Sequence, residues 1–150
     1  SVSLEKLGDV LVAQGDLPAA RARFQECHDI LKRLADADKS SASLQRDVSV
    51  SLEKLGDVLV AQGDLPAARA RFQESVDIAR RLADADKSSA SLQRDVWASM
   101  WKLVRFADSG ITWAQIAAAM EDMQRRGVLL PTDVRFLEEA RRRAAAEAPH

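Results

Sequence analysis

The apolar positions of this chain recur at helical spacing. Leu44, Val48, Leu52, Leu55 and Leu59 follow one another at intervals of 4, 4, 3 and 4, which places them on one face of an α-helix. That stripe stops at Gly63, a residue suited to the positive φ of a helix C-terminus. Asp64-Leu65-Pro66 then opens another helix, since proline is tolerated in a first turn. A second stripe runs through Leu17, Ala20, Phe24, Cys27, Leu31 and Leu34, at intervals of 3, 4, 3, 4 and 3. It breaks at Asp38-Lys39-Ser40-Ser41, where Ser40 or Ser41 is placed to N-cap the next helix.

These two stripes belong to an internal repeat. Residues 1–48 align with 49–96 without a gap, and 44 of 48 positions are identical. The four differences are Cys27/Ser75, His28/Val76, Leu31/Ala79 and Lys32/Arg80. A helix pair with one apolar stripe on each member cannot bury both by itself, so neighbouring pairs are expected to stack into a solenoid. Gly8 and Ala20 are small residues on the facing stripes and would let the two axes approach.

The expected organisation is a first repeat over 1–40, a second over 41–88, a degenerate third-repeat helix over 89–110 and capping helices over 111–150. About seven helices result. Trp97–Leu103 still aligns with Ser49–Leu55, but the glycine becomes Val104, and the helix is expected to stop near Asp108-Ser109-Gly110. Thr112-Trp113-Ala114-Gln115 reads as a capping box. Trp113, Ile116, Met120 and Met123 form the next stripe, and Pro131-Thr132-Asp133 opens a last helix with Val134, Leu137, Ala140 and Ala144 on its apolar face. Ser1 falls in the middle of a unit, with no counterpart of Ser41–Val48 ahead of it. The first helix should therefore present an uncovered stacking face, to be met by further repeats or by a second copy.

The spacing Leu4-x2-Leu7-Gly8-x2-Leu11 followed by Ala20-x3-Phe24 occurs again as Leu52, Leu55, Gly56, Leu59, Ala68 and Phe72. This resembles the tetratricopeptide repeats, whose pattern is W-x2-L-G-x2-Y, A-x3-F and a closing proline. The likeness covers about two-thirds of the chain. Leucine replaces both aromatics, Lys32 and Arg80 stand near the place of the closing proline, and the period is 48 rather than about 34. The additional residues amount to about four helical turns, so a long-helix, bacterial-type variant is expected. The resemblance implies an all-α, right-handed superhelical solenoid and a protein–protein interaction module whose first helices line a concave groove.

Charge and composition narrow the functional classes. Lys plus Arg is 22, Asp plus Glu is 23 and the net charge is −1, which argues against a nucleic-acid or anionic-membrane coat. The single cysteine excludes an internal disulfide and a cysteine-rich zinc site; a reducing, cytoplasmic setting is expected. No apolar run approaches the ~20 residues of a membrane span. Cys27 and His28 are adjacent and diverge by about 100° on a helix, so they do not form a nucleophile–base pair. Phosphate loops and metal-ligand motifs are missing. The expectation is a non-enzymatic module without cofactor or metal.

The candidate groove face is the polar side of the first helix in each unit. It comprises Val2, Glu5, Asp9 and Val12 in one, and Arg46, Val50, Glu53, Asp57 and Val60 in the other. Paired acids at i, i+4 repel by a few tenths of a kcal/mol, and a basic ligand would relieve that. The same acids also read as a solvated face, with Lys6 and Lys54 three residues before Asp9 and Asp57. On the third-unit helix, Trp101 aligns with Glu53 and Arg105 with Asp57. With Trp97 and Asp108 they form a patch that reads either as a peptide anchor or as Trp rings packed against the cap helices. Self-association through the uncovered first helix is the alternative function.

Overall fold

In the computed structural model the backbone is described from Val2 to Glu147 and the side chains from Ser3 to Glu147. Seven α-helices occur among these residues: α1 (Val2–Ala13), α2 (Leu17–Ala37), α3 (Ala42–Ala61), α4 (Leu65–Ala85), α5 (Ala90–Leu103), α6 (Trp113–Arg125) and α7 (Val134–Glu147). A 3-10 turn, Pro131–Asp133, precedes α7, and no strand is present among the described residues. None of these helices is long and apolar enough to cross a membrane. The chain divides into two compact units, Ser1–Ile78 and Ala79–His150, with the division inside α4.

Local chemistry sets the helix limits. The Asp16 carboxylate accepts the Ala19 N–H at 3.2 Å at the start of α2, and Asp64 accepts that of Ala67 at 3.3 Å at the start of α4. Ser41 caps α3 by accepting from Leu44, and Ser89 caps α5 in the same way through Leu92. Each oxygen satisfies an N–H that the helix leaves unpaired. The turns after α1 and α3 use Gly15 and Gly63 at φ 79° and 81°, a conformation that costs glycine little.

In the first unit, α2 packs against both α1 and α3. The motif residues explain how closely. A Cβ built on Gly56 would lie 2.5 Å from Cε1 of Phe72, and one on Gly8 would lie 2.5 Å from the same atom of Phe24. The glycine therefore makes room for the aromatic ring of the partner helix. Ala20, Phe24, Leu55 and Val58 form one buried cluster, with Leu11 and Leu17 against it.

Two expectations need correction. Leu34 is 50% exposed, and Ala35, at 2%, is buried in its stead. At about 100° per residue, the buried arc of α2 runs from Cys27 through Leu31 and Phe24 to His28; Ala35 lies inside that arc and Leu34 outside it. The third-unit helix ends at Leu103, not near Asp108. Its next residue, Val104, the counterpart of Gly56, is the C-cap, with its N–H bonded to Met100 O. The chain turns there, with the Phe106 N–H bonding to Leu103 O and the Ser109 N–H to Phe106 O.

Within the second unit, α6 packs against α5 and α7. Ile116, Met120, Leu137 and Leu103 are fully buried. The capping box at Thr112 and Gln115 is complete, each side chain bonding the other's backbone.

Candidate functional site

Equivalent positions of α1 and α3 meet at one surface of the first unit. Asp9 and Val12 from α1, and Lys54, Asp57, Val58 and Ala61 from α3, line a hollow of about 150 Å³ with Phe24 of α2 beneath it. Three of the anticipated groove residues, Asp9, Val12 and Asp57, are thus brought together. Glu5 and Glu53 are half-buried and are not among the lining residues. Glu53 instead accepts a hydrogen bond of 3.4 Å from the Ser75 hydroxyl of α4. Val50 and Arg46 are exposed and Val60 is half-buried. The expectation for the Val2 side chain lies outside the described residues.

An interaction that sequence spacing did not anticipate crosses this surface. Lys54 Nζ lies 3.0 Å from the Asp9 carboxylate, so α3 donates to α1 across 45 residues of sequence. A lysine on a helix reaches far enough to span two neighbouring axes while its head stays wet.

Elsewhere along α3, buried hydroxyls tie it to α2 and α4. The Ser49 and Ser75 hydroxyls are 2.8 Å apart, and each lies within hydrogen-bond reach of the other's backbone carbonyl, at 3.2 and 3.1 Å, so their two protons are shared among these acceptors. The Ser51 hydroxyl donates to Val48 O at 2.7 Å, which leaves Ser51 Oγ to accept from His28 Nδ1 at 2.9 Å. Burial pushes the His28 pKa below its ordinary value, and the nearby Asp29 and Glu74 only partly oppose this. His28 and Ser75 lie at repeat-varying positions. Serines inside helix interiors were the available signal, but their partners lie more than twenty residues away.

The sequence profile of the tetratricopeptide repeat matches residues 2–38 and 48–86. The chain is a member of the tetratricopeptide repeat family. No match was found among curated proteins or solved structures. Tetratricopeptide repeats generally mediate protein–protein interaction and are typically non-enzymatic scaffolds. The two matches coincide with the helix pairs α1–α2 and α3–α4. The glycine–aromatic contacts described above are thus the physical content of the family's Leu-Gly and Ala-x3-Phe signatures.

The second unit of this tetratricopeptide repeat protein carries a different surface. Trp101 packs edge-on against Trp113 with centroids 4.7 Å apart, and its ring lies 5.7 Å from Phe136 and 6.1 Å from Trp97. Trp97 is buried and Trp101 half-buried. Arg105 is exposed, and its Nε donates to Lys102 O at 3.0 Å. Trp101 and Arg105, with Lys102, Val104, Trp113 and Arg143, line a hollow of about 290 Å³. Trp97 is thus core, and Trp101 is packed among aromatic rings and also lines the hollow.

Spacing along the sequence does not reveal an ion pair of this unit in which only the carboxylate is buried. Asp133, almost fully buried, receives Arg94 Nε at 2.8 Å and Nη2 at 3.3 Å. The Asp133 hydrogen bond raises the Arg94 pKa above its ordinary value. The Arg94 guanidinium also lies 5.2 Å from the Trp97 ring centroid. Among the described residues, no group of three His, Cys, Asp or Glu side chains is placed to hold a metal ion.

Proposed function

We propose that the α1–α3 surface receives a polypeptide segment carrying basic side chains, making the chain a scaffold or adaptor module. The observation that supports this is the convergence of Asp9 and Asp57, equivalent carboxylates of two repeats, on one hollow with Val12 and Val58 beside them. An apolar floor with acids at its rim suits a lysine or arginine, whose stem packs while its head pairs. Lys54 acts as an internal example, since its ammonium already rests against Asp9 at 3.0 Å.

The test is fluorescence anisotropy with a labelled lysine-rich peptide, comparing wild type with the Asp9→Lys/Asp57→Lys double variant. Both positions are exposed, so the fold should tolerate the change. The reading predicts saturable, salt-sensitive binding that weakens about tenfold or more in the variant. Equal binding by both proteins contradicts it.

A second reading is association of copies through the outer face of α1. Leu7 and Val10 are 45% and 51% exposed, whereas their counterparts Leu55 and Val58 are 1% and 2% exposed. In α3 these positions lie buried in the core that includes Ala20 and Phe24 of α2, and in α1 the same positions are open to a helix from another copy of this chain. Sedimentation over a concentration series decides this. A dimer that Leu7→Glu/Val10→Glu abolishes supports association, and a monomer at every concentration removes it.

A further inference from the structure

We propose that the hollow at the end of α5 is a second docking site, for an acidic peptide segment that inserts an apolar side chain. The walls define the occupant. Trp101, Trp113 and Val104 give an apolar lining, and Lys102, Arg105 and Arg143 are the three charged residues among the six that line it. All three are cations. The indoles meet edge to face at 4.7 Å, and the Arg143 guanidinium lies 4.8 Å from the Trp113 ring centroid. Stacked guanidinium and indole groups are the side chains that dominate protein contacts.

The hollow of about 290 Å³ holds one large apolar side chain, and the cations around it would meet carboxylates flanking that side chain. Arg143 shows the geometry already, because its Nε donates to Glu139 at 2.6 Å while the guanidinium stacks on Trp113. The charge distribution agrees. Residues 79–150 carry 12 Lys and Arg against 10 Asp and Glu, whereas residues 1–78 carry 10 against 13. A nucleic acid is a poorer fit, since phosphate-driven binding needs a run of basic contacts along a backbone and this site offers one compact cluster. The site is independent of the α1–α3 surface, which is acidic and would take a partner of opposite charge.

The protein carries its own reporter. Its only three tryptophans are Trp97, Trp101 and Trp113, and it has no tyrosine, so intrinsic fluorescence reads this cluster alone. The probe is a capped peptide of one leucine between paired glutamates, titrated against wild type and Arg105→Glu/Arg143→Glu. Both substituted residues are exposed, and circular dichroism confirms that the helices persist. A saturable shift in tryptophan emission is expected, with affinity falling about tenfold in the double variant and likewise when the leucine of the peptide becomes glycine. Three results overturn the proposal: no saturable change at millimolar peptide, equal binding by the charge-reversed variant, or stronger binding of a lysine-flanked peptide or a single-stranded oligonucleotide.

Discussion

Lys54 of α3 and Asp9 of α1 form an ion pair of 3.0 Å between helices that occupy the same place in successive repeats. The pair ties the two first helices together at the surface where the proposed partner would lie. Its ends are a third and a half exposed, so water and salt screen it. A double-mutant cycle with Lys54→Ala and Asp9→Ala should give a coupling of about 0.2–1 kcal/mol, shrinking toward zero at molar salt. A coupling that is large and indifferent to salt would show that the pair is far less hydrated than the structure has it.

Gly56→Ala tests the close approach of α3 and α4. Alanine gains up to about 1 kcal/mol of helix propensity over glycine, but its methyl would meet three atoms of the Phe72 ring at 2.5–2.8 Å. Phe72 is fully buried, so the ring has nowhere to swing. Urea unfolding should show a net loss of about 1–3 kcal/mol, recovered in part by adding Phe72→Leu. Stabilisation by the single change would mean that the helices are not in contact there.

These contacts also show what the sequence made legible. The stripes, the caps and the glycine–phenylalanine pairing could be read because they depend on neighbours within a helical turn or on a motif repeated twice. Leu34 leaves the stripe because spacing in threes and fours drifts around the helix, and only the packing of α2 between α1 and α3 fixes where the buried arc ends. Asp108-Ser109-Gly110 is the strongest local breaker in the sequence, whereas the stop at Leu103 is made by turn hydrogen bonds, Phe106 N–H to Leu103 O and Ser109 N–H to Phe106 O, that no residue type there announces. Of the candidate site, Asp9, Val12 and Asp57 followed from the register of the repeat. Lys54–Asp9 and Arg94–Asp133 did not, since each joins side chains about forty residues apart whose meeting depends on helix packing.

The His28 imidazole makes stability depend on pH. Its folded pKa is depressed by burial, so the unfolded chain binds the proton more readily than the native one. Stability from this group is thus complete above the unfolded value near 6.5 and is lost as pH falls from there through the folded pKa. Asp29, Glu74, Arg71 and Lys32 are the charges around it. His28→Val copies the second repeat, where Val76 is fully buried. Urea midpoints measured between about pH 7.5 and pH 5.5 should fall more steeply for wild type than for the variant. Identical slopes would show that His28 is solvated.

The Arg94–Asp133 pair should be asymmetric. Asp133 is 4% exposed and Arg94 is 42% exposed, so removing the arginine strands a buried carboxylate, whereas removing the aspartate leaves a guanidinium that water can reach. Arg94→Leu should cost about 3 kcal/mol and Asp133→Ala less, with the double variant no worse than Arg94→Leu alone. Equal single losses would place both groups at the surface.

If a basic partner segment lies along α1 and α3, its footprint is visible residue by residue in amide chemical shifts on titration with the lysine-rich peptide. Perturbations should concentrate on residues 5–12 and 53–61, around Asp9 and Asp57, and disappear in Asp9→Lys/Asp57→Lys. Perturbations confined to the exposed faces of α2 and α4, with α1 and α3 silent, would contradict that placement.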